Sequence, residues 1–242
     1  MRNYKLIVQY DGTNYAGWQI QLNAKSVQAV LQDSINQITN EKINLIGAGR
    51  TDSGVHALGQ TANFRIDNGL DLYRFKHSLN SILPRDISVK RIEEVDESFH
   101  ARYDAVKRSY IFLISKIKSP FYDKYSWWYH GPVNCDYLNL ISEYLIGEKD
   151  FTAFSRKTSD TENKICCIHQ IRWKERKDLV IFYVEADRYL HGMVRTMVGT
   201  LLHTVKLNLN IDYLRDVINT RDRESAGEAV PAKGLFLYKV KY

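Results

Sequence analysis

Apolar residues along the chain alternate between two spacings, and each change of spacing marks an element. Residues 5–10 carry the short apolar run of a strand. Over residues 27–38, Val27, Val30, Leu31, Ile35 and Ile38 share one helical face, with Ser26 placed as the N-cap. Strands are expected near 43–48 and over 60–66, then a helix over 72–82 stopped by Pro84, then a strand over 87–92. That order is βαββαβ. It nearly recurs: a strand over 108–114, a turn at Pro120, a helix over 136–145, and strands near 165–173 and 179–185. A long helix from about 190 to 205, a shorter one over 213–218 and a last strand over 235–240 complete it.

Strands and helices in this order predict an α+β fold of two ferredoxin-like, RRM-like βαββαβ halves, their antiparallel sheets flanking a central cleft. The division is placed near Asp104, giving an N-terminal half of residues 1–104 and a C-terminal half of residues 105–242. The halves share element order rather than sequence, and the fold alone assigns no function.

Composition narrows the class. The 242 residues are 44% hydrophobic and 26% charged, the balance of a soluble globular protein with length for one large or two small cores. Three cysteines, with Cys166 and Cys167 adjacent, offer neither a disulfide framework nor metal-ligand spacing, so no metal site is expected and the compartment reads as reducing. The first ten residues hold only the apolar run Leu6-Ile7-Val8, and no segment approaches the roughly 18 apolar residues of a membrane helix. A cytoplasmic protein is the expectation. Lys and Arg exceed Asp and Glu by 34 to 28, a net +6 with a pI of about 9.0, which favours a polyanionic partner. The 16 tyrosines point toward RNA, since aromatic rings stack on unpaired bases while cations hold phosphates.

Candidate chemistry begins at Gly47-Ala48-Gly49-Arg50-Thr51-Asp52-Ser53-Gly54-Val55-His56-Ala57, a loop after a strand with glycines on both sides of Asp52. It lacks the third glycine of a dinucleotide fingerprint and the Gly-Lys-Ser/Thr of a phosphate loop. Asp52-Ser53-Gly54 is also the tripeptide of aspartic proteases, but that chemistry needs two carboxylates and only a dimer would supply the second. A Ser53-His56-Asp52 triad is disfavoured by the short span, and a structural turn remains the plain alternative.

The helix expected from residue 190 carries Leu190, Met193, Val194, Met197, Val198, Leu201, Leu202 and Val205 around most of its circumference, which marks it as buried. Arg195 within it needs a partner, because a guanidinium in apolar surroundings costs several kcal/mol unless paired. Asp52 is the candidate, with Asp187 or Glu185 the alternatives. His191, Arg195 and Gly199 recur at i, i+4, i+8, and Gly199 would admit another backbone. In Val106-Lys107-Arg108-Ser109-Tyr110-Ile111-Phe112, a Tyr110 facing the cleft could stack on a base and exchange a proton; a lone tyrosine is otherwise core.

These segments resemble the tRNA pseudouridine synthase A (TruA) family from end to end. Tyr10-Asp11-Gly12-Thr13-Asn14-Tyr15-Ala16-Gly17-Trp18-Gln19 is similar to its opening motif, and Gly49 to Ala57 to its catalytic loop. Asn80 with Leu83-Pro84-Arg85-Asp86-Ile87, and Phe99-His100-Ala101-Arg102, follow in order. Arg108-Ser109-Tyr110 resembles its active-site tyrosine segment, Leu190 with Met193-Val194-Arg195 its arginine helix, and Pro231-Ala232-Lys233-Gly234-Leu235 its C-terminal signature. Arg188-Tyr189, Gly192 and Glu228-Ala229-Val230 depart from the usual pattern without removing a proposed catalytic residue.

The resemblance implies the pseudouridine synthase fold and a cytoplasmic homodimer without metal or organic cofactor, acting on uridines at positions 38 to 40 of the tRNA anticodon stem-loop. It makes Asp52 the nucleophile, Tyr110 the ring that stacks on the uracil and is placed to take the C5 proton, and Arg195 the partner of Asp52. Whether Asp52 adds to the ribose, adds to the base or assists removal of a ribose proton stays open. Arg50 is the candidate to fill the space an extruded base leaves, and Leu190 is assigned to substrate binding. Lys107, Arg108, Arg156, Lys157, Arg188 and His191 are candidates for phosphate contacts. The competing classes are a non-catalytic RNA-binding module and a dimeric aspartic protease.

Overall fold

The computed structural model describes residues 1–157 and 161–242. The chain divides into two compact units, Met1–Val106 with Phe236–Tyr242, and Lys107–Leu235.

In the first unit, β1 (Arg2–Tyr10) buries Tyr4, Leu6, Val8 and Tyr10 at every second position. Helix α1 (Val27–Thr39) starts where Ser26 Oγ accepts from the Ala29 amide at 3.3 Å and stops at Asn40, which turns left-handed at φ 54°. Next come β2 (Ile46–Gly47), β3 (His56–Ile66), α2 (Leu72–Ile82) and β4 (Ile87–Val95). Their order, β4–β1–β3–β2, is antiparallel throughout and is that of the ferredoxin-like plan. Val27, Leu31 and Ile35 of α1 and Phe75 and Leu79 of α2 are buried, as are Tyr4, Leu6 and Phe64 of the sheet. Each full burial of a Leu, Ile or Phe contributes about 1.5–3 kcal/mol over exposure. Asn80 clamps α2 to β4 by bonding both the amide (2.7 Å) and the carbonyl (2.9 Å) of Val89.

The second unit repeats the strand, helix, two strands, helix sequence, with additions. It comprises β5 (Lys107–Ser115), β6 (Trp127–Trp128), α3 (Cys135–Ser142), β7 (Gly147–Asp150), β8 (Ile165–Arg176), β9 (Leu179–Ala186), α4 (Met193–Lys206) and α5 (Ile211–Thr220). The antiparallel order is β5–β9–β8–β7, and β6 lies parallel beside β5. Phe112, Trp173, Phe182 and Val184 of the strands are buried, with Leu138 and Ile141 of α3 and Met197 and Leu201 of α4. Asn139 clamps α3 to β8 as Asn80 clamps α2, bonding the amide and carbonyl of Trp173. The last strand, β10 (Leu235–Lys241), sets Phe236 and Leu237 parallel to His56 and Ala57 of β3.

Three elements differ from the sequence expectation. Only Ile46–Gly47 of the strand expected near 43–48 joins the sheet, because the Ile43 and Leu45 amides bond side chains of α1, Asn36 Oδ1 and Gln32 Oε1. Helix α3 ends at Ser142 and a 3-10 turn, Glu143–Leu145, leads into β7, which has no apolar alternation to announce it. The helix expected from residue 190 begins at Met193, because Gly192 turns left-handed at φ 77°. Among the described residues no helix is long and apolar enough to cross a membrane.

Candidate active site

The Asp52 loop is held by the opening segment of the chain. Within the first unit, the Trp18 amide donates to Thr51 O at 3.2 Å, while Gly54 N and Ser53 Oγ both donate to Tyr15 O at 3.3 Å. The hydroxyls of Tyr10 and Thr51 share a buried hydrogen bond at 2.8 Å. Tyr15, itself buried, donates from its hydroxyl to Asp86 Oδ1 at 2.6 Å. Burial first, then Asp86, raises its pKa and keeps that hydroxyl a donor. Asp52 opens a turn closed by the Val55 amide on Asp52 O at 3.1 Å, and Gly54 fills the third turn position at φ 75°, which a side chain would strain. The Asp52 side chain is half-buried and Arg50 is exposed, its Nε donating to Gln19 Oε1 at 3.3 Å.

His56 is the first residue of β3 rather than part of the loop. Its ring is buried, stacks on Phe236 at 4.7 Å, and sets Nδ1 at 3.1 Å from both the Gly12 amide and Asp11 Oδ1. These groups tie His56 to the Tyr10–Gln19 segment. The bracing by Tyr10, Tyr15 and Thr51 was not anticipated from sequence. Its only signal was the density of glycines and aromatics in that opening segment.

In the second unit, Tyr110 lies on β5 opposite Val184 and is 8% exposed. The Tyr189 ring meets it edge-on at 5.0 Å, and the Tyr189 hydroxyl donates to Arg108 O at 3.1 Å. Burial, followed by Tyr110, Tyr183 and Glu185, holds the Tyr189 hydroxyl protonated well above its ordinary range. Arg108 Nη1 donates to Asp187 O at 2.8 Å, and Lys107 Nζ lies 3.6 Å from Glu185 Oε1. The two acids weighed as partners of Arg195 carry other bonds as well. Asp187 Oδ1 accepts from the amides of Cys167 and Arg188, and Glu185 Oε2 from the Tyr183 hydroxyl.

Helix α4 is buried on most sides, as its composition predicted, and Arg195 on it is half-buried, with Nε donating to Val230 O at 2.6 Å. The Val230 amide returns a bond to Arg195 O at 3.3 Å, and Glu228 O occupies the space that a side chain at Gly199 would fill. The Pro231 signature therefore begins on a segment laid against α4. The expected stripe is shortened at its start, because His191 precedes the helix. His191 is exposed and sits by Arg156, its carbonyl accepting from the Arg156 amide at 3.0 Å and its Nε2 lying 3.4 Å from Arg156 Nη1. Leu190 is 5% exposed, and Arg188 is half-buried. Two departures from the family pattern thus have local roles: Tyr189 supports Tyr110, and Gly192 accepts the positive φ before α4.

Comparison with known proteins places these segments in one lineage. A family model described as tRNA pseudouridine synthase matches residues 6–104 and 141–242. Proteins called tRNA pseudouridine synthase A from Thermoanaerobacter sp. (strain X514), Acetivibrio thermocellus and Clostridium acetobutylicum are 40%, 41% and 40% identical to this chain. Each match spans 244 residues and covers 100% of both chains, so it includes the Tyr110 segment outside the family-model match. The chain belongs to the tRNA pseudouridine synthase A family.

Proposed function

We propose that this protein isomerises uridine to pseudouridine in the anticodon stem-loop of tRNA, at positions 38 to 40. It acts as a cytoplasmic homodimer without metal or organic cofactor. The observation that carries this reading is the Asp52 loop. There the backbone around half-buried Asp52 is tied to the opening segment through Thr51 and Gly54 and closed into a turn by the Val55 amide, in a chain that matches its relatives over its whole length.

The reaction conserves every atom and every electron. The ribose C1′–N1 bond breaks, the uracil turns while held, a C1′–C5 bond forms, and the C5 proton leaves as N1 gains one. A carboxylate suits this chemistry because it can add covalently to the ribose or the base, or accept a ribose proton. Asp52 takes that role. Tyr110 stacks on the uracil and is placed to receive the C5 proton, a role supported by the fixed edge-on contact with Tyr189. Arg195 is the charge partner of Asp52, and Leu190 contacts the substrate.

A target base in a stem must leave its stack, which costs a few kcal/mol that protein contacts offset. Arg50 is exposed and long enough to occupy the vacated space. Lys107, Arg108, Arg156, Lys157, Arg188 and His191 meet phosphates. Pseudouridine mapping of host tRNA with and without this protein tests the assignment. Loss confined to positions 38 to 40 is the expected result, and unchanged pseudouridine there would contradict it.

A further inference from the structure

Between β1 and α1 the chain leaves the core of the first unit and returns to it. Its root is buried Trp18, whose amide donates to Thr51 O, the carbonyl that a side chain at Gly17 would strike. The return is fixed by the Ala16 amide on Lys25 O at 2.9 Å and by Gln21 Nε2 on Ala16 O at 3.0 Å. Buried Gln28 of α1 holds the Ile20 amide with Oε1 at 3.0 Å and donates from Nε2 to Leu45 O at 2.7 Å. A bridge between Gln21 and Ala24 closes a tight turn with Leu22 and Asn23 at its tip. The backbone is thus tied down at several points, yet Leu22 is fully exposed and Ile20 is exposed too.

A single exposed leucine is ordinary on a protein surface. The neighbours of this one give it meaning. Leu22 follows Trp18 by four residues, so its Cα lies within about 14 Å of the Trp18 Cα and hence near the Asp52 loop. Residues 12–32 contain no Asp or Glu. Lys25, at the foot of the turn, sets Nζ 4.9 Å over the Tyr15 ring, and Arg50 is held to the segment by neutral Gln19. Two copies of such a surface would repel each other, whereas RNA offers phosphates to the cations and unstacked base or ribose faces to the apolar tip.

We propose that this turn contacts the RNA substrate beside the target uridine. Leu22 packs on a base or ribose exposed when the uridine leaves its stack, and Lys25 holds a neighbouring phosphate. The inference rests on the tRNA reading and adds two residues to it. An apolar side chain at an opened base step offsets part of the cost of unstacking. It releases no counterions, whereas a phosphate contact does, so the two residues separate in the salt dependence of binding.

The test uses the full-length protein with tRNA, reading kcat/KM from tritium released at uracil C5 and binding over a sodium chloride series. The loss in kcat/KM should grow from Leu22→Met through Leu22→Ala to Leu22→Asn, reaching about tenfold in the last. The unfolding midpoint and the salt slope of Leu22→Asn should match those of the natural protein, because the side chain is exposed and uncharged. Lys25→Gln should lower the slope of log K against log salt by about one unit. Full activity in Leu22→Asn, or the same loss in all three variants, overturns the apolar contact, and an unchanged slope in Lys25→Gln overturns the phosphate contact. A smaller species for Leu22→Asn in sedimentation equilibrium would give the tip to a second copy of this chain and overturn the proposal. The natural protein in the same assay separates the two readings. If it releases tritium and Leu22→Asn equals it, only this contact is lost, whereas a natural protein that releases none loses the function beneath it.

Discussion

At Glu93, a hydrogen bond from Lys5 Nζ at 2.5 Å holds the carboxyl below its ordinary value, with Arg91 adding to the effect against a smaller opposing contribution from burial. Lys5 also lies 5.3 and 5.5 Å over the rings of Phe99 and Tyr242, so its ammonium is positioned from several sides. A depressed folded-state pKa stabilises the fold above the ordinary carboxyl value of 4.5, and that stabilisation is lost as pH falls through the folded-state value. Glu93→Gln should therefore lower stability by about 1 kcal/mol or less at neutral pH, measured by urea denaturation, and the deficit should close well below pH 4.5. A deficit independent of pH would contradict the pairing. Cys166 is fully buried, and burial pushes its thiol up to about 12. Iodoacetamide at about pH 8 should leave it unmodified until the protein unfolds, with half-buried Cys167 reacting first. Labelling of Cys166 in the folded protein would contradict that burial. The turn that carries Asp52 could be read from sequence because glycines flank it. The buried pair Asn3 and Asn63, which anchors the Phe99–Ala101 segment through Phe99 O and the Ala101 amide, could not. Asparagines in a strand look the same whether they face water or a buried carbonyl.

Among the elements, α4 most directly joins packing to the proposed chemistry. Its buried threonines satisfy themselves, Thr200 and Thr204 bonding carbonyls one turn earlier, and Thr200 Oγ1 also accepts the Gly227 amide. Gly199→Ala would push a methyl group into Glu228 O and displace the segment that meets Arg195 through Val230. It should cost about 1–3 kcal/mol in thermal or urea unfolding, whereas a change within a few tenths would show that the segment yields freely. The burial of this helix was legible in its apolar positions. Its first residue was not, since Leu190 continues the apolar spacing while Gly192 breaks the backbone geometry. For the same reason residues 43–45 read as strand: their apolar spacing is right, but their amides bond the side chains of α1. Element order survives such local substitutions of partner because the two long antiparallel ladders, β1 with β3 and β8 with β9, depend on apolar alternation that the sequence displays.

For the whole molecule, the net charge of +6 and the end-to-end match to the family agree with an RNA substrate. The α+β plan was legible because strand and helix periods alternate cleanly. The parallel placement of β10 beside β3 was not, since pairing between residues some 180 positions apart in sequence leaves no local pattern. The proposed roles of Asp52, Tyr110 and Arg195 rest on residue chemistry and family motifs together, so a test at the reacting bond is needed. Tritium release from tRNA labelled at uracil C5 is the most direct one, comparing the natural protein with Asp52→Asn. The natural protein should release tritium, and Asp52→Asn should bind tRNA with similar affinity yet release none above background; full turnover by Asp52→Asn, or no release by the natural protein, would contradict the proposed chemistry.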